Sequence, residues 1–172
     1  MPHSATTSLI RFKTAFAALL LTRPLDQITV QDIVRKADVN RSTFYRHFLD
    51  INDFLDWLAD TMLSEITQQF PQPQAAVLDF TQFYQYATDN RILLQAFLGS
   101  RRWTDFVTAL QETVAKRYTS LLNQQTSDMP PAVQAAFLIG GHIALFNWWM
   151  QQDQPPRPAQ MAIYHKALSR PR

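Results

Sequence analysis

Between Val39 and Phe48 the chain reads VNRSTFYRHF. Arg41, Ser42, Thr43, Tyr45, Arg46 and His47 crowd six hydrogen-bonding side chains into this segment, interleaved with Phe44 and Phe48. As a helix, Phe44 and Phe48 share one face with Val39, and the donors fall on the other side. Two aromatic anchors hold a helix too short to stand alone, which leaves the donors directed at something outside the protein. A guanidinium such as that of Arg41 pairs bidentately with guanine, and the hydroxyls of Ser42 and Thr43 reach base edges or phosphates. Tyr45, His47, Thr29 and, by charge, Lys36 and Arg46 suit the phosphate backbone, while Asn40 stands at the entry to the helix.

Catalytic chemistry finds no such grouping. His3, His47, His142 and His165 are widely separated, and none stands in a metal-ligand spacing with another His or a carboxylate. The sequence has no Cys, no Gly-rich phosphate loop and no nucleophile elbow. Asp50, Asp53 and Asp56 form a one-sided acidic run that suits a helix start better than an acid/base pair. The reading is therefore of a binding protein that is not an enzyme, with no metal and no cofactor.

The elements that must present this segment follow from periodicity. Leu9, Phe12, Phe16 and Leu19 recur at helical steps and predict a first helix closed by Pro24. Thr29 with Asp32 three residues on resembles a capping box before VQDIVRKA, whose Val30, Ile33, Val34 and Ala37 form one stripe. Asp38, Val39 and Asn40 make a tight turn, with Asn40 as a cap for a third helix over 41–48. Asp50 opens a fourth helix toward Phe70, with Asp53 completing its cap and Phe54, Leu55, Leu58, Met62 and Ile66 as its inner stripe. Further helices are predicted over 74–88, 90–98, 101–125, 129–151 and 157–169, about nine in all.

A length of 172 residues with 47% hydrophobic and 17% charged residues supports a real core. Twelve Phe and four Trp beside three Gly favour helices packed on helices, so the predicted class is all-α. Charge is unevenly placed: residues 1–49 carry seven Lys/Arg against three Asp, a balance of +4 in a chain whose net is +2. A basic head on a slightly acidic body suits a polyanion partner. TAFAALLL lacks a cleavage pattern, and FLIGGHIALFNWWM is too short to span a bilayer and carries a His and an Asn. The expectation is a soluble protein of the cytoplasm with no membrane partner.

Two short helices joined by a three-residue turn behind a longer one describe a helix-turn-helix. The stretch ITVQDIVRKADVNRSTFYRHFLDINDFLDWL resembles the amino-terminal domain of the TetR family of bacterial transcriptional regulators. That pattern runs Ile-Thr-Val, an Ala-Gly-Val turn, then Ser-x-x-Thr-Phe/Leu-Tyr-x-His-Phe, and Thr43, Phe44, Tyr45, His47 and Phe48 follow its order and spacing. The match covers roughly residues 9–58. Three positions depart from it: Asp38 replaces the turn Gly, Asn40 the usual Ser, and Ile51 the Lys commonly found at the start of the fourth helix. FLIGGHIALFNWWM resembles the penultimate helix of a subgroup that includes relatives of a dihydroxyacetone kinase activator.

The resemblance implies a DNA-binding domain over 1–48 and a helical dimerisation and effector domain over 49–172. It implies a homodimer on a palindromic double-stranded operator, repression as the usual outcome, and release by a small-molecule effector. Effector binding would move the fourth helix as a lever and alter the separation of the two recognition helices, which must match roughly 34–36 Å of DNA. The last two helices would pair with those of a second copy through Phe137, Ile139, Gly140, Gly141, Ile143, Phe146, Trp149, Ile163 and Leu168. In this family the middle helices enclose an effector pocket; if one exists here, Tyr84, Trp103, His142 and Trp148 line it, but an aromatic stripe of this kind is more often plain core. The alternative is a regulator of the same fold that acts through a partner protein, favoured by the acidic start of the fourth helix.

Overall fold

The computed structural model describes residues 3–69, 79–98, 100–122 and 129–168. Among these residues it holds nine α-helices and no strand, so the chain is all-α. Helix α1 is His3–Leu20, α2 Val30–Ala37, α3 Arg41–Tyr45, α4 Ile51–Gln68, α5 Thr81–Asp89, α6 Arg91–Phe97, α7 Arg101–Leu122, α8 Pro131–Gln151 and α9 Pro158–Leu168. The expected extensions over 74–78, 123–125 and residue 169, and the end of α4 at Phe70, lie outside the described residues.

The chain divides into two compact units, residues 1–61 with 92–98, and residues 62–91 with 99–172. The boundary expected at residue 48 thus falls inside the first unit. The reason is aromatic packing: Phe54 of α4 lies 5.3 Å from Phe16 and 5.3 Å from Phe48, and Trp57 lies 5.3 Å from Phe48. The start of α4 therefore completes the core of the amino-terminal helices. Burying rings of this size supplies most of the stability available to so small a unit.

In the second unit α5 packs against α9, and α7 against α8. Phe83, Tyr84, Phe146 and Trp149 form its aromatic centre, with Tyr84 and Trp149 rings 5.2 Å apart. Arg91 closes the carboxy-terminal end of α8. Its guanidinium donates to the carbonyls of Met150 and Gln152 at 3.0 and 2.5 Å and lies 4.9 Å over the Trp149 ring. A cation at a helix carboxy terminus meets both the orphan carbonyls and the negative end of the helix dipole.

Candidate nucleic-acid interface

The site begins with the cap of α2. Thr29 Oγ1 accepts from the Asp32 amide at 3.2 Å, and the Asp32 carboxylate accepts from the Thr29 amide at 3.1 Å. The Thr29 hydroxyl, 2.7 Å away, lowers the Asp32 pKa most, followed by the Thr29 amide and then Arg23 and Arg35. Both guanidiniums reach that carboxylate, at 3.4 and 2.8 Å. One acidic side chain thus fixes the helix start and gathers two cations beside it, at the end where backbone amides can receive a phosphate.

The turn between α2 and α3 is set at Asp38, whose backbone is left-handed with φ 53. That conformation explains why glycine is common there, and an Asp tolerates it at a cost of about 1–2 kcal/mol at most. Arg11 from α1 donates to the Asp38 carbonyl at 3.2 Å and so steadies the turn from outside. Asn40 follows in an extended conformation, but its side chain makes no capping hydrogen bond. The expectation that Asn40 caps α3 through its side chain is corrected: the Asn40 carbonyl accepts from the Thr43 amide, and the exposed amide group is left over.

Helix α3 is shorter than the 41–48 read from the sequence. Its regular part ends at Tyr45, although the Arg46 and Phe48 amides still donate to the Ser42 and Phe44 carbonyls. Beyond them the Leu49 amide donates to Asp53 at 2.7 Å, and Asp50 accepts from Asn52 and Asp53, which turns the chain into α4. Phe44 is fully buried and Phe48 nearly so, while Arg41, Ser42, Tyr45 and Arg46 are exposed and Thr43 half-exposed. Arg41 lies over the Tyr45 ring at 5.3 Å and donates to its hydroxyl at 3.1 Å. This holds a guanidinium and a phenol together on the outer face of the helix. Lys36 is exposed at the end of α2.

His47 differs from its neighbours. Its Nε2 lies 2.9 Å from Ser8 Oγ of α1, and its ring meets Phe12 edge-on at 6.3 Å. Burial, and then the Arg46 charge, hold its pKa below the ordinary value, which favours the neutral ring. It is partly packed into its own domain rather than standing free like Arg41. Sequence reasoning missed Ser8 and Arg11. Ser8 lies four residues before Phe12, a spacing that puts it on the same face of α1 and was the available signal.

Of the four residues expected to line an effector pocket, Tyr84 and His142 come together at one buried partner, whereas Trp148 faces outward. Tyr84 and His142 both meet His165 in the core, and Trp103 stacks on Phe106 and Phe146 at 5.6 and 6.0 Å. Trp148 faces outward with 44% of its surface exposed and lines a groove of about 310 Å³ with Leu145, Tyr164, Ala167 and Leu168. The residues expected to face a second copy also separate. Phe137, Gly140, Gly141, Ile163 and Leu168 are exposed, whereas Ile139 and Ile143 are buried. Phe146 and Trp149, at 1% and 0% exposure, belong to the interior of the second unit, because α8 turns those positions toward α5 and α7.

Two family models match the chain. The model described as bacterial regulatory proteins, tetR family, matches residues 14–56, and the one described as transcriptional regulator C-terminal region matches residues 79–170, more than half of the chain. The chain belongs to the TetR family of bacterial transcriptional regulators. The α2–turn–α3 segment is therefore the family's DNA-binding helix-turn-helix, and the family is one of regulators, not enzymes. No curated protein matches. Among solved structures, a TetR transcriptional regulator from Streptococcus agalactiae 2603V is similar at 21% identity, over 98% of this chain and 97% of that one, with a TM-score of 0.64. The dihydroxyacetone kinase operon activator DhaS is similar at 16% identity, over 94% and 93%, with a TM-score of 0.69. NalD, the secondary repressor of the MexAB-OprM multidrug efflux pump in Pseudomonas aeruginosa, is similar at 13% identity, over 94% and 93%, with a TM-score of 0.56. At these identities the likeness is one of fold. Among the described residues no helix is long and apolar enough to cross a membrane.

Proposed function

We propose that this TetR-family regulator acts in the cytoplasm as a homodimeric repressor on a palindromic operator and is released by a small-molecule effector. The observation that carries the reading is the two-sided α3 segment, whose aromatics are buried while Arg41, Ser42, Tyr45 and Arg46 stand outward. Arg41 reads a guanine edge; Ser42 and Thr43 contact base or phosphate. Tyr45, Arg46, Lys36 and the amino-terminal end of α2 at Thr29 hold the backbone, and His47 and Asn40 serve at the margin.

The second copy docks on the outer face of α8 and α9. Support comes from Phe137, Ile163 and Leu168, which are 80%, 59% and 74% exposed and apolar, and from Gly140 and Gly141, over which a neighbouring backbone has open space to approach. A two-fold protein matches a two-fold operator. Helix α4 runs from the first unit into the second and is the continuous element through which an effector changes operator affinity. An effector releases DNA only if it binds the DNA-incompatible arrangement more tightly.

A second reading keeps the fold and works through a partner protein, as a regulator that need not repress. It draws on the acidic line of Asp50, Asp53, Asp56 and Asp60 along α4 and on the half-buried Ile51. The capping bonds of Asp50 and Asp53 weaken it, because they give those two carboxylates a local purpose. Selection of bound duplexes from a random pool, with sedimentation of the enriched complex, separates the readings. Recovery of an inverted repeat bound by two chains supports the first; a pool that never enriches favours the second.

A further inference from the structure

The most unusual polar feature of the molecule is inside it. His165 of α9 is 2% exposed, with its Nδ1 2.8 Å from Nδ1 of His142 on α8 and its Nε2 2.9 Å from the Tyr84 hydroxyl on α5. Phe80 stacks on the His165 ring at 4.1 Å and lies 4.7 Å from His142. Two imidazole nitrogens at hydrogen-bond distance hold one proton between them: one ring donates and the other must accept. The pair therefore exists only if at least one ring is neutral, and a second proton at this junction would set two N–H groups against each other.

The surroundings offer little to support added charge. Helix α8 has no charged side chain in its 21 residues, and α9 from Pro158 to Leu168 has Lys166 alone, exposed. Across α5 the facing titratable group is Tyr84, whose hydroxyl is kept protonated by burial; Asp79 and Asp89 at the margins of α5 are exposed and bonded to Thr81 and Gln85. On α7, packed against α8, the charged Arg101, Asp105, Glu112 and Lys116 are exposed and Arg102 half-exposed. No carboxylate among the described residues is paired with His165.

We propose that the His142–His165 pair is a proton-operated latch: separating α9 from α5 and α8 lets both rings take up a proton, so mild acid loosens α9. Where the dimer reading given above holds, the same protons weaken operator binding, because α9 forms part of the docking face.

Burial pushes His142 down to about 4, and burial with the His142 charge pushes His165 down to about 3. A free imidazole titrates near 6.5. The latched form is thus favoured above about pH 6.5, and that advantage falls as pH drops toward the folded values. Each ring contributes about a tenfold rise in the opening equilibrium between pH 7.5 and 5.5, and the two together about a hundredfold.

Hydrogen exchange of the α9 amides in the full chain, corrected for the intrinsic pH dependence of exchange, reads this directly. The expected result is an opening equilibrium about a hundredfold larger at pH 5.5 than at 7.5, falling to about tenfold in either His142→Leu or His165→Gln and to almost nothing in the double variant. A wild-type change below about threefold overturns the latch, and so does a full slope that survives in a double variant shown by circular dichroism to be folded at pH 7.5. If the variants do not fold, the wild-type slope decides alone. Sedimentation on the same samples separates the two claims: a chain monomeric at pH 7.5 refutes the dimer reading and leaves the exchange result to judge the latch.

Discussion

The two units distribute the same kinds of side chain in opposite ways. In the first, the rings of Phe12, Phe16, Phe44, Phe48 and Phe54 are inside, and the hydrogen-bonding groups of Arg41, Ser42, Tyr45 and Arg46 are outside. In the second, the hydroxyl of Tyr84 and the imidazole of His165 are inside, while Phe137, Trp148, Ile163 and Leu168 are outside. In the function proposed above, the first surface meets a partner rich in acceptors and negative charge, and the second meets a second copy as apolar as itself. The contrast teaches that what a helix leaves exposed is a better guide to its partner than what it buries.

The largest effect that sharpens this comparison is at Phe44. Its ring is fully buried against Phe12, Phe48 and Phe54, so Phe44→Ala is expected to cost about 3–5 kcal/mol and to be visible as a large fall in the melting temperature. DNA binding should fail with it. Arg41→Ala removes an exposed group, so its melting temperature should be unchanged while specific affinity falls by about 1–3 kcal/mol relative to random duplex. A variant that lost stability instead would show that the outer face of α3 is structural.

Smaller effects test the devices that hold the two surfaces in place. Arg91→Ala leaves the last carbonyls of α8 without their cation and should cost roughly 1–3 kcal/mol, read as earlier loss of exchange protection in α8 than in α2. Thr29→Ala should cost about 1 kcal/mol through the α2 cap and weaken DNA binding by at most a similar amount. Asp38→Gly runs the other way. Removing the side chain from a left-handed position should raise stability by up to about 1 kcal/mol in denaturant titration.

How much of this was legible in the sequence also differs between the units. The head is written in short-range signals. Thr29 with Asp32, Asp50 with Asp53, the tight turn at Asp38 and the alternation of Phe44 and Phe48 with donors all act within four residues, and all are found in place. Its departures are also local: the regular part of α3 ends at Tyr45 while single helical bonds carry on to Phe48, and Asn40 makes no side-chain cap. The body depends on long-range partners. The bond between Tyr84 and His165 spans 81 residues, and the inward turn of Phe146 and Trp149 depends on helices α5 and α7. An all-round apolar helix such as α8 gives no stripe by which to separate its inner face from its outer one. That is why the sequence groups Phe146 and Trp149 with Phe137 and Gly140 on one face toward a second copy, whereas the fold buries the first two and exposes the other two.

The central claim, that the outer face of α3 recognises DNA, is tested most directly by fluorescence anisotropy of the full chain against a library of duplexes that includes the DNA upstream of its own gene, across a salt series. The account predicts selective binding that weakens steeply as salt rises, with selectivity lost in Arg41→Ala and the residual salt-sensitive binding retained. Binding that is no tighter to any duplex than to random DNA at every salt concentration, or selectivity untouched by Arg41→Ala, would contradict it.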